Sequence, residues 1–229
     1  MNYKTFQQRL LQLADPTYAD FAKAGTPTDY PFLGVRIPHL RDLAKNIIQS
    51  GYAADFLSHD PQSFEELTTQ GIIIASLPYD EMKSRFPNFI SQIDNWATCD
   101  TFCNTAKSIK KHRDDFLVTV LDPLFDSSSA SEFKVRVALV MLLCHYVTPD
   151  YLAVIFDRVY AIKDREEYYI KMSVAWLLAE CFIKFPDETY PILAAKTLPK
   201  WTQNKTISKI RDSYRVPPEV KSALLSLRK

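Results

Sequence analysis

The run Ile93-Asp94-Asn95-Trp96-Ala97-Thr98-Cys99-Asp100 sets a tryptophan four residues before an aspartate. In a helix, positions i and i+4 share a face, one turn apart. The indole and the carboxylate then point the same way and together can hold a cation: the ring face attracts positive charge and the carboxylate neutralises it. Trp96 alone reads first as a helix-start aromatic packed in the core. Asp100 divides evenly between a functional charge and a capping or dipole partner at a helix start. Two more residues matter only if the fold brings them close. These are Arg136, a basic spot between Val135 and Val137, and Trp176, at the centre of Val174-Ala175-Trp176-Leu177-Leu178. For Arg136 a buried ion pair competes, and for Trp176 core packing is the usual answer.

The elements that must position these residues are helical almost throughout. Phe6, Leu10, Leu11 and Leu13 give one amphipathic stripe. Pro38 opens a second helix, with Leu40, Leu43, Ala44, Ile47 and Ile48 on one face and Arg41 and Lys45 on the other. Ser63-Phe64-Glu65-Glu66 spells a capping box leading into Leu67 and Ile72 to Ile74. Asp80 is expected to cap the next helix. Further helices are expected from Ser131 to Tyr146, after Thr148-Pro149-Asp150, from Glu166 to Lys184, after Pro186, over Asn204–Ser213 and over Pro218–Leu227. About a dozen helices in successive antiparallel pairs, at roughly forty-residue spacing, suggest an all-α, HEAT-like α-solenoid. A globular bundle is the competing all-α reading. With no linker rich in Pro, Gly or Ser, residues 1–229 read as a single HEAT-like repeat domain.

Composition excludes several classes. Of 229 residues only 4 are Gly, and no glycine-rich phosphate loop is present. The longest apolar run, around Val137 to Cys144, is far short of a membrane span, and the N-terminus lacks a signal-peptide shape. A soluble, cytoplasmic monomer is expected, with no membrane partner. Cys99, Cys103, Cys144 and Cys181 have no metal-ligand spacing, so no metal site is expected and buried thiols are the default. Residues 1–100 hold 8 Lys/Arg against 12 Asp/Glu, and residues 101–229 hold 20 against 15, so balances of −4 and +5 give the net +1. That split is compatible with one basic face for a polyanion.

Several segments together resemble the AlkD-type DNA alkylation repair family. They are Phe32-Leu33-Gly34-Val35-Arg36-Ile37-Pro38-His39-Leu40-Arg41, the Ile93–Asp100 run, Phe133-Lys134-Val135-Arg136-Val137-Ala138, Met172–Leu178 and Asn204–Ile210. They cover nearly the whole chain in the family's order. The resemblance implies a curved HEAT-like solenoid whose concave basic face binds duplex DNA. It implies a monofunctional glycosylase that releases cationic N-alkylpurines such as 3-methyladenine and 7-methylguanine without drawing the base into a pocket, and needs no cofactor. It implies catalytic roles for Trp96, Asp100 and Trp176, a phosphate grip for Arg136, and DNA contacts from Lys134, Lys205, Lys209 and Arg211. Ala179 stands where better-studied members carry arginine, and Tyr18 or Phe21 stands for their early-helix tyrosine. The loop Gly25 to Tyr30 looks longer than theirs.

The implied chemistry is economical. A cationic alkylpurine is already a good leaving group, so one carboxylate under the forming oxocarbenium ion and flanking indoles suffice. No lysine is placed as an imine-forming nucleophile. Two other classes compete: a non-catalytic solenoid recognising damaged or branched DNA, and a protein–protein scaffold. Salt-dependent duplex affinity separates both DNA readings from the scaffold. Release of free 7-methylguanine separates catalysis from binding.

Overall fold

The computed structural model describes residues 1–126 and 131–229, all helix, turn and loop with no strand among them. They divide into two compact units, Met1–His112 and Arg113–Lys229. The first holds α1 (Tyr3–Leu13), α2 (Pro16–Gly25), α3 (Ile37–Gln49), α4 (Ala53–Phe56), α5 (Phe64–Ser76), α6 (Tyr79–Ile90), α7 (Trp96–Thr105) and a 3-10 turn, Lys107–Lys111. The second opens with α8 (Arg113–Phe116), a π-turn (Leu117–Leu121) and α9 (Asp122–Asp126). It continues with α10 (Glu132–His145), α11 (Leu152–Ala161), α12 (Tyr168–Lys184), α13 (Pro186–Ala194), α14 (Lys200–Asp212), α15 (Pro218–Ala223) and the turn Leu224–Leu227.

Both units follow one rule. In the first, α5 packs on α3 and α7, while α4 and α6 pair with the helices that precede them. In the second, α12 packs on α10 and α14, while α9 pairs with α10 and α13 with α12. Alternate helices forming a row, each backed by a sequence neighbour, is the signature of stacked helix pairs. The fold class is all-α, of the α-solenoid type. The middle helix of each row has neighbours on both sides, so α5 is buried from Phe64 to Ala75. Its polar residues are buried with it, and Glu65, Glu66, Thr68 and Gln70 are satisfied by hydrogen bonds to neighbouring segments. No helix among the described residues is long and apolar enough to cross a membrane.

Local sequence sets most boundaries. Phe6 and Leu10 of α1 are buried, whereas Leu11 is 67% exposed and lies off the stripe. Ser63 Oγ accepts from Glu66 N at 3.2 Å, which makes half of the capping box. The Glu66 carboxylate instead accepts from Gln62 N and from the Tyr3 hydroxyl, tying α1 to α5. Asp80 does not cap α6: the helix begins at Tyr79 with Pro78 as cap, and Asp80 falls in its first turn. α14 starts at Lys200, four residues before the expected Asn204.

Candidate functional site

Asn95 starts α7, its Oδ1 accepting from Thr98 N at 2.8 Å. The cap is therefore Asn95, and Asp100 lies one turn inside the helix on the face of Trp96. Trp96 is 39% exposed, and its Nε1 donates to the Gly25 carbonyl at 2.9 Å. Asp94, just before the cap, accepts from Thr28 Oγ1 at 2.7 Å and 2.8 Å and from Asp29 N at 2.7 Å. The loop from Gly25 to Tyr30 is thus pinned at both ends of its course to the start of α7.

A second loop is fixed from α5. The amides of Leu33, Gly34 and Val35 all donate to the buried Glu65 carboxylate, the Gly34 bond measuring 2.7 Å. Burial pushes the Glu65 carboxyl above its usual range, against the pull of those amides. Gly34 is required here: its φ is +87°, and a Cβ would sit 2.1 Å from the Asp15 carbonyl oxygen. Arg36 follows, its guanidinium 4.3 Å from the Tyr18 ring centroid and 3.2 Å from Asp15 Oδ2. The Tyr18 amide and then Arg36 hold the Asp15 carboxyl below its usual range.

Between these loops, α2, α3 and α7 enclose an open cavity of about 620 Å³. Tyr18, Phe21, Phe32, Phe64 and Trp96 supply aromatic wall; Arg41 and Asp100 are its charged members. Tyr18 and Phe21, the two candidates for an early-helix aromatic, both line it. Arg41 Nη1 donates to Thr105 Oγ1 at 2.8 Å, which holds its guanidinium against α7. A largely apolar concavity with few placed charges is the usual form of a small-ligand site. Its aromatic faces and carboxylate suit a planar or developing cation at its mouth.

The remaining expected site residues lie in the second unit. Trp176 is half-buried midway along α12, with Lys209 Nζ 5.9 Å from its ring centroid. Arg136 is only 4% exposed. Its Nη1 donates to the Tyr169 carbonyl at 3.2 Å, and its guanidinium lies 5.6 Å from the Tyr169 ring centroid. Glu132 accepts from Tyr169 N at 2.6 Å, so two residues of α10 clasp the start of α12. Lys134, Lys205 and Lys209 are half-buried and Arg211 is exposed. Lys205 and Lys209 share a face of α14; Arg211 does not. Ala179 is buried, so no charge stands at that position. Arg215 pairs with Glu180 at 2.8 Å.

Cys99, Cys103 and Cys181 are buried free thiols and Cys144 is half-buried. Burial pushes the Cys181 thiol up to about 12. Among the described residues no group of three or more His, Cys, Asp or Glu could hold a metal ion. Sequence reasoning missed Phe64 as cavity wall and Asp94 as loop clamp. Arg41 had a signal, as a cation on the polar face of an otherwise amphipathic α3. Asp94 had none, since the loop residues it clamps, Thr28 and Asp29, lie more than sixty residues away.

No curated protein matches the chain. A solved structure described as a predicted DNA alkylation repair enzyme from Enterococcus faecalis shares the fold, with a TM-score of 0.70 at 15% identity over 84% of this chain and 94% of that one. The family model for DNA alkylation repair enzymes matches residues 6–210, nearly the whole chain, including Trp96, Asp100, Arg136 and Trp176. The chain belongs to the AlkD-like DNA alkylation repair enzyme family.

Proposed function

We propose that this protein is a monofunctional DNA glycosylase that hydrolyses the N-glycosidic bond of cationic N-alkylpurines, such as 3-methyladenine and 7-methylguanine, in duplex DNA. Family membership supports a role in DNA alkylation repair, with DNA as the partner. The observation that carries the finer reading is Trp96 and Asp100 lying one turn apart in the wall of an aromatic cavity. The purine leaves with the C–N electron pair, which cancels its positive charge. The charge moves to the sugar, where the Asp100 carboxylate and the Trp96 ring stabilise it. Water adds its oxygen to the anomeric carbon and gives up a proton. Trp176, with Lys209 at its ring, packs on the backbone near the lesion. Lys134, Lys205, Lys209 and Arg211 contact phosphates, each through a salt-sensitive increment. Arg136 serves by fixing α12 under Trp176.

One pair of observations favours a second reading, a DNA-binding protein without catalysis: Ala179 removes a cation next to Trp176, and Arg136 is turned inward. The deciding experiment incubates the full chain with methylated duplex DNA and measures free 7-methylguanine. Release above background supports the glycosylase. Duplex binding without release supports the second reading.

A further inference from the structure

We propose that a groove beside Trp201 binds an unpaired nucleotide of a DNA strand, stacking its base on the indole and holding its phosphates with Lys200, Lys205 and Arg228. DNA as the partner rests on the function proposed above; the site rests on separate observations. The groove has a volume of about 490 Å³ and is lined by Lys200, Trp201, Asn204, Lys205, Ser208 and Arg228, three cations and no carboxylate.

The groove is built rather than incidental. Lys229 N donates to Asn204 Oδ1 at 3.0 Å, and Asn204 Nδ2 donates back to a main-chain oxygen of Lys229 at 2.9 Å. Lys229 Nζ donates to the Lys196 and Leu198 carbonyls, and Lys196 Nζ donates to the Ser226 carbonyl. This strap holds Arg228 at the start of α14. Trp201 is 37% exposed, with Lys171 Nζ 5.0 Å from its ring centroid and the exposed Tyr168 at 6.0 Å, edge on. Lys171 and Tyr168 thus orient the indole while over a third of its surface stays exposed. Trp201, Lys205 and Lys209 follow one another at four-residue steps along α14, and Lys209 ends at the Trp176 ring.

An exposed indole among cations selects an unpaired base. In a duplex both faces of each base are covered by its neighbours. An unpaired base offers a free face, and stacking on an aromatic side chain is worth on the order of ten-fold or more in affinity per base.

The test measures fluorescence anisotropy of the full chain with a labelled short single strand and with the duplex of the same sequence. Trp201→Ala should weaken single-strand binding about ten-fold and change duplex binding by less than about two-fold. Trp201→Phe should keep most of the single-strand affinity. Arg228→Ala should lower the salt slope on the single strand by about one. Circular dichroism melts check that each variant folds. Equal losses on both DNAs, or no loss on either, overturn the proposal. A free mononucleotide that binds as tightly as the strand also overturns it. Because these readouts are binding only, they stand whether or not the wild-type chain releases 7-methylguanine.

Discussion

Trp96 on α7 and Gly25 at the end of α2 are joined by one hydrogen bond, indole Nε1 to carbonyl oxygen, at 2.9 Å. That bond satisfies one of the last carbonyls of α2, which its own helix leaves without a partner. It also fixes the rotation of the indole on the face that carries Asp100. Trp96 is not a core aromatic: its polar edge is tethered while the ring stays 39% exposed at the cavity.

Trp96→Phe should therefore keep an aromatic ring but free the loop. Amide exchange over residues 26–30 should speed up, and base release should fall by roughly ten-fold, the cost of about one hydrogen bond's worth of positioning. Asp94→Ala should speed the same amides, because it removes the acceptor for Thr28 and Asp29. Unchanged exchange in both variants would show that the loop is held by other contacts.

Arg136→Ala tests whether the guanidinium is a clasp or a phosphate grip. As a clasp, its loss leaves the Tyr169 carbonyl without that donor and empties a buried site, at a cost of about 2–3 kcal/mol. Thermal unfolding should move down by roughly 5–10 °C for a chain of this size. Duplex affinity measured well below the melt should change little. An unchanged melting temperature with a large loss of duplex affinity would assign Arg136 to phosphate instead.

The legible parts of the fold were those with one buried face. Phe6 and Leu10, and Leu40, Leu43, Ala44 and Ile47, are buried as their spacing requires, whereas Ile48, expected on the same face, is 37% exposed. α2 left no such stripe, because Ala19 is its one buried residue. The start of α14 was missed because polar residues are buried there: Gln203 Nε2 donates to the Leu193 and Leu227 carbonyls. At the site, the shared face of Trp96 and Asp100 followed from spacing alone. Two of its aromatic partners did not, since Phe32 reaches the cavity from a loop and Phe64 from the first position of α5. Arg136 stayed ambiguous because a clasp and a phosphate grip both call for one arginine in an apolar helix.

Gly71→Ala probes the packing beneath the site. A Cβ at Gly71 on α5 would lie 2.6 Å from Cζ of Phe89 on α6, a ring that is 1% exposed and has no room to retreat. Overpacking of this kind costs about 1–3 kcal/mol. A melting temperature at or above wild type would show that α5 and α6 can separate freely.

Tyr3 should give the protein an alkaline weakness. Burial, then its hydrogen bond to Glu66, pushes its hydroxyl up to about 12 from an ordinary 10.0. Between those values the unfolded chain loses the proton while the folded one keeps it, so stability falls as pH rises from 10 towards 12. Tyr3→Phe lacks this titration. Its denaturant midpoint should be lower than wild type at neutral pH and should fall less steeply above pH 10. Parallel curves for the two proteins would show that the Tyr3 hydroxyl does not couple folding to pH.

Asp100→Asn tests the chemistry itself. The amide keeps the size of the carboxylate and some of its hydrogen bonding but removes the full negative charge. That charge matters most once the sugar becomes cationic, so its loss should lower turnover far more than affinity. Removing a preorganised electrostatic partner typically costs about 3–4 kcal/mol, roughly a hundred- to thousand-fold in rate. Single-turnover release of 7-methylguanine should fall by that factor, with duplex binding within about two-fold of wild type. Asp100→Ala should be no more active than the asparagine variant, since the lost term is charge rather than volume. Wild-type release from Asp100→Asn would make the carboxylate a structural group of α7.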